Sequence, residues 1–281
     1  MTQTFDLNID INSVQWIRSL RAGEESWNYK IVDDVKSECK RQGMAFSLHD
    51  VQTIAEFERV LRALASEAAD KGVRPLIHID MHGGKDAGLE IAGESKCIAW
   101  PEVADLLSAV NIAADRNLCV VSAACEGLHV ISEVSINKPC PFVILIAPEK
   151  SILISFLEDN TLKFYQVLLQ TDDIVAAYEA HLSSELTLFN AEKQFARALT
   201  LYIHDHCVGP GADARIDGLI EDMKKATALS PNEEAAARVA ARAGIEPSQK
   251  LIDDRAPTFL GRVPRFAFDD IMKAVGTGST P

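Results

Sequence analysis

Two short apolar runs, each ending in a reactive side chain and a nearby glycine, constrain this chain more than any other feature. The first leads from Pro75 into His82 and Gly83, and the second leads from Cys119 into Cys125. Runs without polar alternation are typical of strands covered on both faces, as in a parallel sheet. Parallel strands joined by helices bring their carboxyl ends to one edge, where open α/β sheets place their sites. We therefore predict that the imidazole and the second thiol meet at that edge.

The pattern around these runs predicts an α/β fold. Further strands are predicted near residues 11–20, 44–51 and 141–147, with a small hairpin at 88–100. Helical periodicity separates the strands, over residues 24–41, 54–71, from Pro101 onward and near 127–135. Such alternation is typical of an α/β/α sandwich with a mostly parallel central sheet.

From about residue 149 the pattern becomes helical. Long helices are predicted over 149–170 and 173–205, and a polar, alanine-rich helical stretch over 209–246. We therefore predict one α/β domain over residues 1–185 and an α-helical extension over 186–281. The last residues, 276–281, contain only Gly, Thr, Ser and Pro, which predicts a disordered tail.

Composition and charge argue against several classes of protein function. The chain has 281 residues, a formal net charge of −13 and no dominant basic patch, which argues against nucleic-acid binding. Its apolar runs are too short to cross a bilayer, and its first residues lack the pattern of a signal peptide. The six cysteines are scattered without regular spacing, which favours reduced thiols and a cytoplasmic location over a disulfide framework.

The two reactive residues suit nucleophilic catalysis. A cysteine attacks as the thiolate, so Cys125 needs a base and a favourable electrostatic environment. His82 can serve as that base, and a helix beginning near Gly127 would direct its positive end toward the sulfur. The backbone N–H groups of Gly83 and Cys125 could then hold a tetrahedral oxyanion.

These residues resemble a known family. The segment around Cys125 is similar to the Ala-Cys-x-Gly signature of caspases, which carry a histidine about 50 residues upstream. The pairing of strand–His–Gly with strand–Cys–Glu–Gly resembles the caspase and separase clan of cysteine peptidases, and most of all its CHAT (caspase-like, bacterial) branch. Residues 142–147, the Phe164-Tyr165 helix and the alanine-rich segment 174–181 are similar to the CHAT elements that follow. The resemblance covers roughly residues 10–185.

The resemblance implies a cysteine endopeptidase with Cys125 as nucleophile, His82 as general base and acid, and Gly83 as oxyanion donor. It implies no cofactor and no metal. Relatives cut a protein substrate in bacterial signalling, cell-death or antiphage modules, often after a protein partner activates them. The chain departs from the pattern twice: Gly84 replaces a second histidine, and Ala123 stands where caspases have Gln and metacaspases Asp in the P1 pocket.

Acidic residues near the predicted edge suggest a preference for a basic P1 side chain. The acids concerned are Asp80, Asp86, Glu90 and Glu126, and the candidate substrate-binding residues are Asp80, Asp86, Ala123 and Glu126.

Three other interpretations remain open. Cys125 could be a buried structural thiol, in which case the chain is a catalytically silent caspase-like fold that acts as a protein-interaction module. A thiol redox sensor would need a resolving cysteine, and none is placed near Cys125 by sequence. The segment from His204 to Cys207 invites a metal site, but we favour a helix end there, and we expect His78 to pack in the core.

Overall fold

The predicted apolar runs form central strands in a computed structural model, which describes residues 9–277 except the side chains of residues 25–27. The strands, in chain order, are β1 Ser13–Ser19, β2 Ala45–Asp50, β3 Pro75–Met81, β4 Gly83–Gly84, β5 Gly88–Ile91, β6 Lys96–Ile98, β7 Cys119–Ser122, β8 Ile144–Ala147 and β9 Thr187–Asn190. The helices are α1 Glu25–Arg41, α2 Ile54–Lys71, α3 Trp100–Ala113, α4 Ile154–Thr171, α5 Ile174–His181, α6 Ala191–His206, α7 Gly209–Ala226, α8 Pro231–Ile245, α9 Lys250–Phe259 and α10 Phe268–Thr277. A 3-10 helix spans Gly127–Glu133.

The main sheet has six strands in the order β2-β1-β3-β7-β8-β9. The first five strands pair in parallel, and β9 closes one edge antiparallel to β8. A separate antiparallel sheet contains β4, β5 and β6. The prediction of an α/β fold with a mostly parallel central sheet is therefore confirmed at this level.

Helices cover the sheet because the central strands β1, β3, β7 and β8 bury side chains on both faces. On one face, Trp16, Leu76, Val121 and Ile146 join a core with buried residues of α1, α4 and α5. On the other side of the pleat, Ile17, Ile77 and Val120 are also fully buried, and α2 and α3 pack against each other. This double coverage explains why the central strands lack polar alternation.

Local signals set the ends of α2 sharply. Thr53 and Glu56 form a capping box at its start, and the left-handed Gly72 ends it. The chain then enters β3, so these signals determine where the strand that leads to His82 begins.

The prediction of one long helix over residues 173–205 is wrong. The structure has α5, then the strand β9, then α6 in that segment. The side chain of Asp173 caps the start of α5, which ends at His181, before Ser183 and Ser184. Leu188 and Phe189 adopt an extended conformation by pairing with β8, a long-range contact that no local periodicity reveals.

The chain divides into two compact units. One contains residues 9–191 and 259–261, and the other contains 192–258 and 262–277. In the second unit, α7 and α8 bury Ile216, Ile220 and Ile245 and are joined by ion pairs such as Lys224–Glu234. The predicted disordered tail is wrong at residues 276 and 277, which end α10, and its residues 278–281 lie outside the described residues.

A helix that spans a bilayer needs a long apolar stretch of about 20 residues. Within residues 9–277, no helix is both long enough and apolar enough to span a membrane.

The core of the first unit should be sensitive to cavity formation. Phe164 of α4 has no exposed surface, so we expect Phe164→Ala to lower the free energy of unfolding by about 3–5 kcal/mol. Leu153→Ala, at a side chain that is 74% exposed, should change it by less than about 0.5 kcal/mol. Urea denaturation of both variants measures the difference, and equal losses would contradict the described packing.

Candidate active site

The pairing of β3 with β7 brings His82 and Cys125 together. Its register joins Leu76 to Cys119 and Ile79 to Ser122, a constant separation of 43 residues. The same separation takes His82 to Cys125, so both residues follow their strands at the same level of the carboxyl edge. A further backbone hydrogen bond, from the N–H of Ala123 to the carbonyl of Ile79, continues this pairing beyond β7.

The loops that follow these strands touch each other at Gly83. A Cβ atom on Gly83 would lie 2.5 Å from the carbonyl oxygen of Cys125, so only glycine fits without displacing the backbone. On the other side of the contact, Glu126 has a left-handed backbone with φ of 57°, which costs a non-glycine residue energy. Its carboxylate accepts a hydrogen bond from the N–H of Lys85 and so joins the two loops. The thiol thus leaves β7 on a sharp, strained turn.

The N–H of Gly83 points away from the hairpin that follows it. Gly83 pairs with Leu89 in the antiparallel β4–β5 ladder, and the N–H of Glu90 donates to the carbonyl of His82. Hydrogen-bonded and non-hydrogen-bonded pairs alternate in such a ladder, so the Gly83–Leu89 pair is of the non-hydrogen-bonded type. This orientation keeps the Gly83 N–H out of the hairpin, as an oxyanion donor requires.

A carboxylate that sequence reasoning missed holds the imidazole of His82. Its Nε2 atom lies 2.9 Å and 3.1 Å from the two oxygens of Glu24, at the start of α1. Because a carboxylate only accepts, Nε2 carries the proton, and Nδ1 remains for other chemistry. Burial opposes ionisation of Glu24, but the backbone N–H of Arg21 and the imidazole outweigh it and lower the pKa of Glu24.

The guanidinium of Arg21 binds a different acidic residue. It forms two hydrogen bonds, of 2.9 Å and 2.6 Å, with the carboxylate of Glu90 on β5. Arg21 therefore orders Glu24 through its backbone and the hairpin through its side chain. The hairpin is also held by Trp100, whose indole N–H donates to the carbonyls of Gly84 and Lys85.

His82 and Cys125 line one pocket of about 150 Å³. Its polar wall also contains Glu24 and Asp80. The apolar wall comes from the end of β1, the end of β3, the turn before Cys125, the loop after β8 and the first turns of α4. These apolar residues are Leu20, Met81, Ala123, Ile152, Ile154 and Leu157.

Asp80 is the most buried ionisable residue in the lining of this pocket. It is only 6% exposed, and its carboxylate accepts a hydrogen bond from the side chain of Asn28. Burial raises its pKa to about 6, although Asn28, Arg18 and His82 oppose that rise. The carboxylate is therefore mainly ionised at neutral pH.

The guanidinium nearest to Asp80 is bound to another acid. Arg18 forms an ion pair with Asp50 at the end of β2 and donates to the oxygen of Asn28 over 2.7 Å. Its guanidinium also lies 4.5 Å from the ring centre of Tyr29. Asn28 thus stands between Arg18 and Asp80 and hydrogen-bonds to both.

The structure separates the predicted substrate-binding residues into two groups. Asp80 and Ala123 line the pocket, whereas Asp86 and Glu126 are not among the described lining residues. Asp86 is exposed, and the carboxylate of Glu126 is bound to the N–H of Lys85. Proximity in sequence placed these two acids near the edge, but it does not determine which side chains line the pocket.

The predicted helix after the thiol is a 3-10 helix of seven residues, Gly127–Glu133, with a left-handed residue at its cap. The partial positive charge of a helix start resides in the N–H groups of its first turn. Stabilisation of the sulfur by this helix stays a prediction.

Outside the site, His78 and four of the thiols are buried. His78 is buried, stacks on Trp16 with ring centres 3.6 Å apart, and contacts the hydroxyl of Tyr165 through Nδ1 over 2.9 Å. Burial lowers the pKa of His78 to about 3, so it stays neutral, as a core histidine should. Burial raises the pKa of Cys39 and of Cys140 to about 12 and also raises that of Cys119 and Cys207.

Metal-ligating groups are sparse in the described part of the chain. Residues 9–277 contain no cluster of three or more His, Cys, Asp or Glu side chains that could hold a metal ion. In the segment singled out by sequence, Nδ1 of His204 contacts the adjacent Asp205 over 2.7 Å at the end of α6.

Comparison with known proteins leaves the family open. No protein-family model matches the chain, and a search of curated proteins finds no match.

Ionisation of Asp80 should weaken the fold. Its pKa lies above that of the unfolded chain, so the folded protein holds the proton more tightly and loses stability as the pH rises through about 6. We expect Asp80→Asn to match the wild type near pH 4 and to exceed its free energy of unfolding at pH 7.5, by on the order of 3 kcal/mol at most.

Urea denaturation at both pH values measures this difference. The matched control is Asp86→Asn, because Asp86 is exposed and lies outside the pocket. A difference between Asp80→Asn and the wild type that stays constant from pH 4 to pH 7.5 would contradict the buried, ionising carboxylate.

Proposed function

We propose that this protein is a caspase-like cysteine endopeptidase of the CHAT type, which uses Cys125 and His82 to cleave a protein substrate. The observation that carries the proposal is the shared pocket: the β3–β7 register sets both residues at one level, and both line the same cavity. The resemblance described above supports the same residues in the same order.

The proposed reaction is acyl transfer. Nδ1 of His82 takes the proton of the Cys125 thiol, and the thiolate attacks the carbonyl carbon of the scissile peptide. The resulting oxyanion accepts hydrogen bonds from the N–H groups of Gly83 and Cys125. The C–N bond then breaks as His82 returns the proton to the leaving amine. Water, deprotonated by His82, hydrolyses the thioester and releases the carboxylic acid and the free thiol.

Glu24 acts on the reaction through His82. By accepting the Nε2 proton it selects the tautomer that presents Nδ1, and it stabilises the imidazolium that forms during attack. This role follows the general logic of a base held by a third group. Glu24 is thus a positioning residue in the proposal.

Selective alkylation tests the proposed nucleophile. Cys97 and Cys125 are the two of the six cysteines that are not buried, so Cys97 is an internal reference. At neutral pH, iodoacetamide should modify Cys125 well before Cys97, and His82→Ala should slow the reaction at Cys125 by on the order of a hundredfold. Peptide mass spectrometry gives both rates. Equal rates at the two thiols would favour the silent interaction module instead.

Cleavage itself requires a substrate screen. A peptide library incubated with the full chain should yield products that disappear in Cys125→Ala, with a loss of about 10³-fold or more. Cys97→Ala is the matched control, since it removes the other accessible thiol and should leave cleavage intact. Products that persist in Cys125→Ala would overturn the proposed mechanism.

Replacing the positioning carboxylate should change the chemistry without unfolding the protein. We expect Glu24→Gln to slow alkylation of Cys125 by about tenfold to a hundredfold and to alter its pH profile, since the amide no longer selects the tautomer or stabilises the imidazolium. Asp86→Asn is the control, because that carboxylate is exposed and is not among the residues that line the pocket. An unchanged pH profile in Glu24→Gln, or the same change in Asp86→Asn, would refute the positioning role.

A further inference from the structure

The residue after the candidate nucleophile has an unfavourable backbone conformation. Glu126 lies in the left-handed region, with φ of 57°, which glycine adopts without the steric cost that a side chain brings. Where a turn only has to reverse the chain, Gly, Asn or Asp is the usual residue at such a position. Strained positions of this kind cluster at functional sites. A long carboxylate side chain here therefore indicates that the side chain itself has a role.

Backbone hydrogen bonds on both sides fix this turn. The N–H of Glu126 donates over 3.2 Å to the carbonyl of Lys150 in the loop after β8, and the N–H of His129 donates over 2.9 Å to the carbonyl of Glu126. The N–H of Gly127 donates over 3.0 Å to the carbonyl of Ala124. The turn is thereby joined to the loop after β8 and to the 3-10 helix, so the backbone sets the direction in which the Glu126 side chain extends.

The side chain of Glu126 reaches the loop that follows β3. Its carboxylate accepts the N–H of Lys85, the residue directly after β4. The carbonyl of Lys85 accepts the indole N–H of Trp100, on α3, over 2.9 Å. Both backbone polar groups of Lys85 are therefore bound, one by the turn after Cys125 and the other by a helix.

The two oxyanion donors of the proposed reaction belong to the two segments that this contact joins. Gly83 lies two residues before Lys85, and Cys125 directly precedes Glu126. A Cβ atom on Gly83 would lie 2.5 Å from the carbonyl oxygen of Cys125, so the two segments already lie against each other. Donors stabilise an oxyanion when they lie about 2.7–3.1 Å from it, so a small separation of the segments weakens the effect.

We propose that Glu126 is a positioning residue of this site, whose carboxylate joins the Gly83 loop to the Cys125 turn and so sets the spacing of the two oxyanion donors. The inference rests on the proposed function, and it gives Glu126 a role distinct from substrate binding. In this role the carboxylate acts through the backbone of Lys85.

Acylation and alkylation of the same thiol separate the oxyanion donors from the nucleophile and its base. With p-nitrophenyl acetate, the thiolate attacks the carbonyl carbon, an oxyanion forms, and p-nitrophenolate leaves as the acetyl thioester forms. With iodoacetamide, the thiolate displaces iodide and no oxyanion forms. Because formation of the thiolate contributes to both rates, the ratio of the acylation rate to the alkylation rate reports the oxyanion donors.

The reference ratio is measured without changing Glu126. Cys97→Ala leaves Cys125 as the thiol that is not buried, Cys125→Ala leaves Cys97, and the double variant gives the background. The ratio at Cys125 should exceed the ratio at Cys97 by at least about tenfold, because oxyanion donors accelerate acylation alone. A ratio at Cys125 no higher than that at Cys97 means that no oxyanion site exists, which overturns the inference together with the proposed mechanism.

Variants at Glu126, made with Cys97→Ala, then test the inference by itself. Glu126→Gly removes the carboxylate and the backbone strain together, and it should lower the ratio at Cys125 about tenfold or more while the alkylation rate changes less than about threefold. Glu126→Gln keeps an oxygen that can accept the N–H of Lys85, and its ratio should stay within about threefold of the unchanged protein. Asp172→Gly is the matched control, since Asp172 is an exposed left-handed residue, with φ of 55°, at the end of α4.

Two results would overturn the positioning role and leave the peptidase proposal standing. One is an unchanged ratio in Glu126→Gly, or a loss in Asp172→Gly as large as in Glu126→Gly. The other is a loss in Glu126→Gln that equals the loss in Glu126→Gly, because the accepting oxygen would then not be the group that matters.

Hydrogen exchange tests the contact without any variant. The exposed Lys85 should have a protected backbone N–H, exchanging at least about a hundredfold more slowly than an unstructured amide, and NMR spectroscopy measures that rate. Exchange of this N–H at the unstructured rate would overturn the inference, even if a variant at Glu126 failed to fold.

Discussion

The parallel pairing of β3 with β7 is the interaction on which the candidate site depends. Two buried strands share one register: β7 ends at Ser122, level with Ile79, and β3 continues to Met81, so the residues that follow both strands emerge at one carboxyl edge. Hydrogen bonds along the ladder and side chains buried on both faces hold that register, because a slip of one residue would turn every buried side chain to the opposite face. The imidazole and the thiol are placed by the core of the protein, and only their final orientation depends on loops.

Around this pair, the site is assembled from segments that lie far apart in sequence. Glu24 comes from the turn after β1, the hairpin after His82 supplies Glu90, and the loop after β8 supplies the apolar wall. Backbone contacts join the parts: Gly83 lies against the carbonyl of Cys125, and Lys85 donates to Glu126. These contacts hold the candidate reactive groups in place, and the proposed acyl transfer depends on such support because its geometry must be set before charge develops.

Much of the fold was predictable from local sequence. Apolar runs, capping residues and helical periodicity located the first five strands of the main sheet and α1 to α3, and they placed His82 and Cys125 at strand ends. What escaped prediction depends on long-range pairing: β9 is extended because it pairs with β8, and Glu24 reaches His82 because β1 and β3 are neighbours. One signal was available for Glu24, since an acid just after a first parallel strand lies at the same edge as the site. That Asp86 and Glu126 are not among the residues lining the pocket could not be predicted, because proximity in the chain does not determine which side chains line a cavity.

The separation of chemistry from pocket shape has a consequence for how such a protein can diversify. The candidate residues His82, Gly83 and Cys125 all follow the two central strands, and a Cβ atom on Gly83 would meet the carbonyl of Cys125. By contrast, Ile152 lies in the loop between β8 and α4, and Ile154 is the first residue of α4. Leu153, between them, is 74% exposed. Exchange of that loop would therefore reshape the pocket wall while the proposed reacting groups stay in place, so the scaffold allows recognition to change independently of the proposed chemistry.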